Sequence, residues 1–282
     1  MTIEGQGIRW SGYSVGGFAT CIDLPGYKVC VDVGRLVEST IARETVLVTH
    51  GHADHVGAFS QHVAQRGLRG TGPATYLVPP GLGDDLEAMM AVWRGMDGGE
   101  LRCNIVEWTP GTPRLLRSDL VVTPFETVHR VPSQGYLFQS VRKRLSTRFH
   151  GAPREEVIAA KTRGEEVEEE IREARLAITG DTSIDGVLGR PDVLGADVLM
   201  LECTFLDDRV SPAQAREMGH VHLEDVAEHA AAFGCEELVL YHVSPRHSLQ
   251  AARRLVREAL PADLAARTRV WVGDASTMDG SG

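Results

Sequence analysis

The chain has 282 residues, 43% of them hydrophobic, enough to bury a sizeable core. No apolar run approaches the length of a membrane span, and Met1-Thr2-Ile3-Glu4-Gly5 lacks a basic region followed by an apolar stretch, so a soluble, cytoplasmic protein is expected. A net charge of −10 argues against a protein that coats nucleic acid nonspecifically, and the five scattered cysteines read as reduced thiols rather than as a zinc knuckle or redox pair.

From the N-terminus onward, β-rich runs end in turns. A strand at 29–33 stops at Gly34, and one at 45–49 runs into Thr49-His50-Gly51-His52-Ala53-Asp54-His55. Helical spacing follows at 56–67, then a strand at 75–78 and a helix at 82–93. Further strands fit 101–106, 120–123, 136–140, 176–178, 198–201 and 238–240, with helices at 223–233 and 248–259. The pattern is α/β, and no short repeat suggests a solenoid. The polar stretch 142–175 interrupts the strands. It is basic first, with Arg142, Lys143, Arg144 and Arg148, and acidic later, and it reads as an inserted surface arm.

Three histidines and an aspartate within six positions, directly after a strand, can aim several side chains at one point. Histidine with aspartate is a ligand set that suits zinc, whereas helix capping by Asp54 or a satisfied core histidine explains only one residue at a time. One short loop cannot surround two metals. His129 after an apparent strand, Asp181 in Ile178-Thr179-Gly180-Asp181-Thr182, and His242 after Leu238-Val239-Leu240-Tyr241 occupy similar strand-end settings. Each alone is commonplace, but beside the cluster they become candidate further ligands.

Together these residues resemble the metallo-β-lactamase superfamily and, within it, the ribonuclease Z (tRNA 3′-processing endonuclease) family in its short, plant-type form. The likeness also rests on Val128-His129 with Ser133-Gln134-Gly135-Tyr136, on Glu202-Cys203-Thr204-Phe205-Leu206-Asp207-Asp208, and on Gly219-His220-Val221-His222. His242-Val243-Ser244-Pro245-Arg246-His247 is similar to the family's His-x-Ser-x-Arg-Tyr element, with His247 in place of Tyr. The resemblance implies a four-layer αββα sandwich, read here as a single domain over 1–282 with a short inserted arm at about 142–175.

It further implies that His50, His52 and His129 hold one Zn²⁺, that Asp54, His55 and His242 hold a second, and that Asp181 bridges them. Mn²⁺ or Fe²⁺ could share this ligand set. Two such ions against Asp54, Asp181 and a hydroxide leave a centre about one charge positive, suited to a phosphodiester, with Asp54 accepting a proton from the attacking water. A ribose leaving group needs an acid. The resemblance places it at His220, oriented by Glu202, with His222 as the local rival. The implied products are a tRNA ending in a 3′-hydroxyl and a trailer with a 5′-phosphate.

Implied partners are precursor tRNA and a second copy of the chain, joined through the helices after the histidine cluster. Arg142, Lys143, Arg144 and Arg246 are candidate RNA contacts, the first three because they could supply the local positive charge that a net charge of −10 otherwise withholds, although the arm is shorter than that of bacterial and long eukaryotic members. His62, His150 and His229 read as surface or helix residues. Two alternatives stand beside this reading. One is a small-substrate hydrolase of the same superfamily acting on a phosphodiester, thioester or lactam, and the other is a non-catalytic RNA-binding protein.

Overall fold

The structure, a computed structural model, describes residues 3–274. The first sheet is built in chain order from β1 (Ile3–Gly5), β2 (Ile8–Val15), β3 (Ala19–Leu24), β4 (Val29–Val31), β5 (Thr45–Leu47), β6 (Thr75–Val78) and β7 (Asn104–Glu107). It begins antiparallel and turns parallel from the β4–β5 pair onward. The second sheet holds β8 (Arg114–Arg117), β9 (Leu120–Glu126), β10 (Gln134–Leu145), β11 (Glu168–Ile178), β12 (Val198–Glu202), β13 (Glu237–Tyr241) and β14 (Thr268–Val270). It is antiparallel up to the β10–β11 pair and parallel beyond. Finally β15 (Gly273–Asp274) returns to pair with β2.

The strand sequences explain the layering, because successive side chains leave opposite faces. Along β12, Val198 and Met200 join one apolar cluster while Leu199 and Leu201 join another. In β13, Val239 and Tyr241 separate from Leu238 and Leu240 in the same way. Leu47 of β5 and Leu77 of β6 reach the cluster shared with Val198 and Val239, so this core lies between the sheets. Both faces of these strands are covered, which is why they read as continuous apolar runs.

Two outer clusters complete four αββα layers. Val46, Val48, Tyr76 and Val78 pack with Phe59 and Val63 of a helix, Phe59–Leu68, and with Leu86 and Met90 of another, Gly83–Asp97. On the far side, β12 and β13 are covered by helices that include Leu223–Glu228, Leu249–Ala259 and Ala262–Ala266. No helix among the described residues is long and apolar enough to cross a membrane.

The arm differs from its expected form. Strands β10 and β11 are not interrupted by it. They continue outward as a two-stranded ribbon, paired from Gln139↔Ala174 to Leu145↔Glu168. A helix, Arg154–Thr162, closes the tip over a small core of Phe149, Ala160 and Val167. Shorter corrections concern element ends. The helix expected at 223–233 stops at Glu228 and gives way to a 3₁₀ turn at Ala230–Ala232, and the strand expected from 101 begins at Asn104.

Candidate metal centre

Loops that leave the ends of β4, β5, β9, β11, β12 and β13 meet at one edge of the sandwich. The β5 loop passes into a single helical turn, Ala53–Val56, that carries Asp54 and His55. Three groups of donor atoms converge there, each within 4.8 Å: His50, His52, His129 and Asp181; Asp54, His55 and His242; and Asp181, His220 and His242. All seven expected ligands thus come together in the two expected sets, and Asp181 lies between them. Its Oδ2 is 3.6 Å from His50 Nε2 and its Oδ1 is 3.3 Å from His55 Nε2 and 3.4 Å from His242 Nε2.

The spacing fits cations. Nitrogen and oxygen ligands at about 2.0–2.1 Å around a tetrahedral ion are separated by roughly 3.3–3.4 Å along each edge. Here His129 Nε2 is 3.2 Å from His52 Nδ1, His55 Nε2 is 3.2 Å from His242 Nε2, and Asp54 Oδ2 is 3.2 Å from His242 Nε2 and 3.7 Å from His55 Nε2. His50 Nε2 and Asp181 Oδ1 are buried with no hydrogen-bond partner among the described residues, as atoms reserved for a metal would be.

A ring of acceptors behind the ligands sets their tautomers. His55 Nδ1–H donates to Asp32 Oδ2 at 2.7 Å and His129 Nδ1–H to the Gly219 carbonyl at 2.8 Å. His50 Nδ1–H meets Thr49 Oγ1 at 3.1 Å, and that hydroxyl donates to Asp32 Oδ2 at 2.9 Å. His242 Nδ1–H meets Thr204 Oγ1 at 2.9 Å, which donates to Glu202 Oε2 at 2.9 Å. Each bond fixes Nδ1 as the donor, so that the neutral ring would offer its Nε2 lone pair to a cation at the centre, the arrangement by which outer groups orient metal ligands. Asp32 has no place in the sequence reading, and Thr204 and Gly219, which enter it only as members of quoted motifs, here hold the ligand imidazoles in position.

Backbone geometry serves the same end. Asp32 and His242 both sit at left-handed φ of 59°, tolerable for these residue types and a common sign of a constrained site. Gly219, with φ 76°, could carry no side chain because a Cβ would lie 2.6 Å from His129 Nδ1.

Burial lowers the pKa of His50, with the charge of neighbouring His55 acting in the same direction, and burial likewise lowers His52 and His129. These imidazoles are therefore neutral and able to ligate. Burial would raise Asp181, but His242 and His55 outweigh it and hold the carboxyl well below the usual range. Asp54 is likewise kept ionised against burial by His242 and His55, and the Gly17 N–H donates to its Oδ2 at 2.8 Å. That suits Asp54 better to holding a cation than to keeping a proton.

His220 and His222 are separated by their surroundings. His222 caps the helix Leu223–Glu228, its Nδ1 accepting from Glu224 N–H at 3.1 Å and its Nε2–H donating to the Asp207 carbonyl at 3.1 Å. Both its nitrogens are occupied away from the centre. His220 Nδ1–H donates to Glu202 Oε1 at 2.8 Å, and its ring lies 5.1 Å from that of His129. The fully buried Glu202 also accepts from the backbone N–H groups of Thr182, Thr204 and Val221. Burial would lower His220, but the Glu202 charge and hydrogen bond raise it to about 9.

The remaining candidates lie apart from the ligands. Arg246 is exposed, its guanidinium 5.8 Å from the Phe205 ring, which in turn packs edge-on to His220. On the arm, Arg142 is ion-paired with Glu173, and Arg144 with Glu169 at 2.7 Å. Lys143 has no ion pair among the described residues. His62 is a buried packing residue, its ring between Tyr76 Oη at 2.6 Å and the Thr40 carbonyl at 3.1 Å.

Comparison with known proteins places this geometry in context. A family model described as a β-lactamase superfamily domain matches residues 34–243, a stretch that contains all seven convergent ligands. The chain is 36% identical to tRNase Z TRZ1 of Arabidopsis thaliana over 269 residues, 95% of each chain. It is 32% identical to a ribonuclease Z of Halobacterium salinarum over 228 residues, covering 73% of this chain and 72% of that one. Among solved structures, the metallo-β-lactamase fold protein YhfI of Bacillus subtilis superposes with a TM-score of 0.61 at 16% identity, covering 92% of this chain and 95% of that one. The short form of human tRNase Z gives 0.58 at 19% identity, covering 84% and 93%. At such identities the two structures speak to the fold alone.

Proposed function

We propose, because this chain belongs to the tRNase Z family of the β-lactamase superfamily, that it is a metal-dependent endoribonuclease that removes the 3′ trailer from precursor tRNA. One observation beyond kinship carries the reading: the carboxylate-bound His220 stands beside the ligand cluster, where a ribose leaving group needs a proton. We assign one divalent cation to His50, His52, His129 and Asp181 and a second to Asp54, His55, His242 and Asp181, with zinc the best match to the donor set. Bound there, such a pair supplies Lewis acidity and activates water.

The chain's own residues do the rest. The Nδ1 of His220 is tied to Glu202, so its Nε2–H is the proton delivered to the departing 3′-oxygen, which leaves the tRNA with a 3′-hydroxyl. Glu202, fixed in place by three backbone N–H groups and the Thr204 hydroxyl, holds the imidazole in register. The same carboxylate steadies His242 through Thr204, which couples proton donor and ligand sphere. Arg246, across Phe205 from His220, is placed to meet a flanking phosphate.

The functional unit is read as one domain, a reading supported by the core that the two sheets share. A homodimer is supported by Leu68, Val92, Trp93 and Met96, large apolar residues left exposed on the helices after the histidine cluster. The decisive assay offers metal-loaded protein a precursor tRNA and bis(p-nitrophenyl) phosphate. Expected is one cut after the discriminator nucleotide, abolished in His220→Ala with metal retained. Hydrolysis of the small diester alone would instead make the chain a small-substrate hydrolase.

A further inference from the structure

Beside His129 the inter-sheet edge opens into a cleft of about 480 Å³, within the size range of small-ligand sites. Four prolines, Pro79, Pro80, Pro110 and Pro132, contribute rigid apolar surface. Its polar lining is unusual in holding acceptors that lack donors. Glu126 and Gln134 face each other across the β9–β10 pair, so both side chains leave the same face of the sheet. Gln134 is fully buried and its Nε2 donates to Tyr136 Oη at 2.8 Å; that hydroxyl donates onward to the Val48 carbonyl at 2.6 Å. This chain fixes the orientation of the amide, and its Oε1, shut off from solvent, has no partner among the described residues, so a base reaches it only by displacing part of the cleft wall. Glu126 is exposed and has no ion pair or hydrogen bond to its carboxylate among the described residues. Arg130 supplies the one cation of the lining, and its charge reaches His52 and His220.

A buried acceptor without a donor is costly unless a ligand completes it. The complement of this cleft is a flat group that presents N–H donors and is attached to an anion: a nucleobase with its phosphate. We propose that the cleft is a base-reading subsite for a nucleotide flanking the scissile phosphodiester, with Glu126 and Gln134 Oε1 accepting from the base and Arg130 facing the phosphate. The inference rests on the RNA-cleaving reading above.

The donor pattern sets an order. Guanine offers adjacent ring N–H and amino donors to one carboxylate, adenine and cytosine offer an amino group, and uracil sets two carbonyl oxygens beside its single N–H. Guanine is therefore favoured and uracil disfavoured, since a site built of acceptors rejects a base that leaves them unpaired.

The test uses precursor tRNAs with each of the four bases at the discriminator position and, separately, at the first trailer position. At one of these positions, wild-type kcat/KM is expected to favour guanine over uracil by about tenfold. Glu126→Ala should shrink that ratio to within about twofold while leaving bound metal and bis(p-nitrophenyl) phosphate hydrolysis unchanged. The two substrate series show which side of the cut is read. Equal wild-type rates at both positions, or a preference that survives Glu126→Ala, would overturn the subsite while leaving tRNA processing intact. A wild-type protein that hydrolyses the small diester but cuts no precursor would overturn both.

Discussion

Asp32 belongs to none of the convergent donor groups, yet two ligand imidazoles depend on its carboxylate, His55 directly and His50 through Thr49. Asp32→Asn removes charge and one acceptor without changing volume. Metal affinity is expected to fall by about 10–100-fold, measurable by competition with a chelating dye, and unchanged affinity would contradict the orienting role. His220 yields a pH signature. Its proton is held up to about pH 9 in the metal-free protein, so the donor is competent below that value and is lost as pH rises through it. Nearby cations lower the value, placing the alkaline limb of kcat below about 9. Glu202→Gln should move the limb lower still, and a limb that does not move would show that Glu202 does not tune His220. At this scale the ligands were legible because four of them share one short run and the others end strands. Asp32 was not, because a lone aspartate 17 positions before Thr49 has no local pattern that ties it to the cluster.

Among the elements, buried strands were the legible ones. Val198–Glu202 and Glu237–Tyr241 are apolar on both faces and announce themselves by composition. The outer halves of β10 and β11 are open to solvent, so Arg142, Arg144, Glu169 and Glu173 hide the strand period behind polar residues. Pairing also changes what the arm can do. The segment 142–175 carries nine lysines and arginines against eight glutamates, a net of about +1, and Arg142, Arg144 and Arg148 each face a glutamate. Lys143, Arg154 and Lys161 have no ion pair among the described residues. Changing these three to Gln is expected to flatten the slope of log affinity for tRNA against log salt by up to about two and a half units, at roughly 0.7–0.9 per phosphate contact. Changing Arg142 and Arg144 instead should leave the slope nearly unaltered. Equal effects of the two sets would show that the cross-strand pairs do not restrain the arginines.

For the whole molecule, a net charge of −10 means that RNA must be drawn by local positive potential at the centre and by cations around its mouth. Arg130 and Arg246 are exposed there without an acidic partner among the described residues. The proposed dimer is tested by light scattering. Trp93→Glu with Met96→Glu should yield monomers, and a wild type already monomeric at micromolar concentration would remove the dimer from the account. The family likeness was readable along most of the chain, but the route by which Glu202 links His220 to His242 appears only in three dimensions. If two cations held by these seven side chains carry RNA cleavage, titrating metal-free protein with zinc while following precursor tRNA cutting should raise activity to a plateau at two equivalents per chain. Full activity at one equivalent, or none at two, would rule the two-cation centre out.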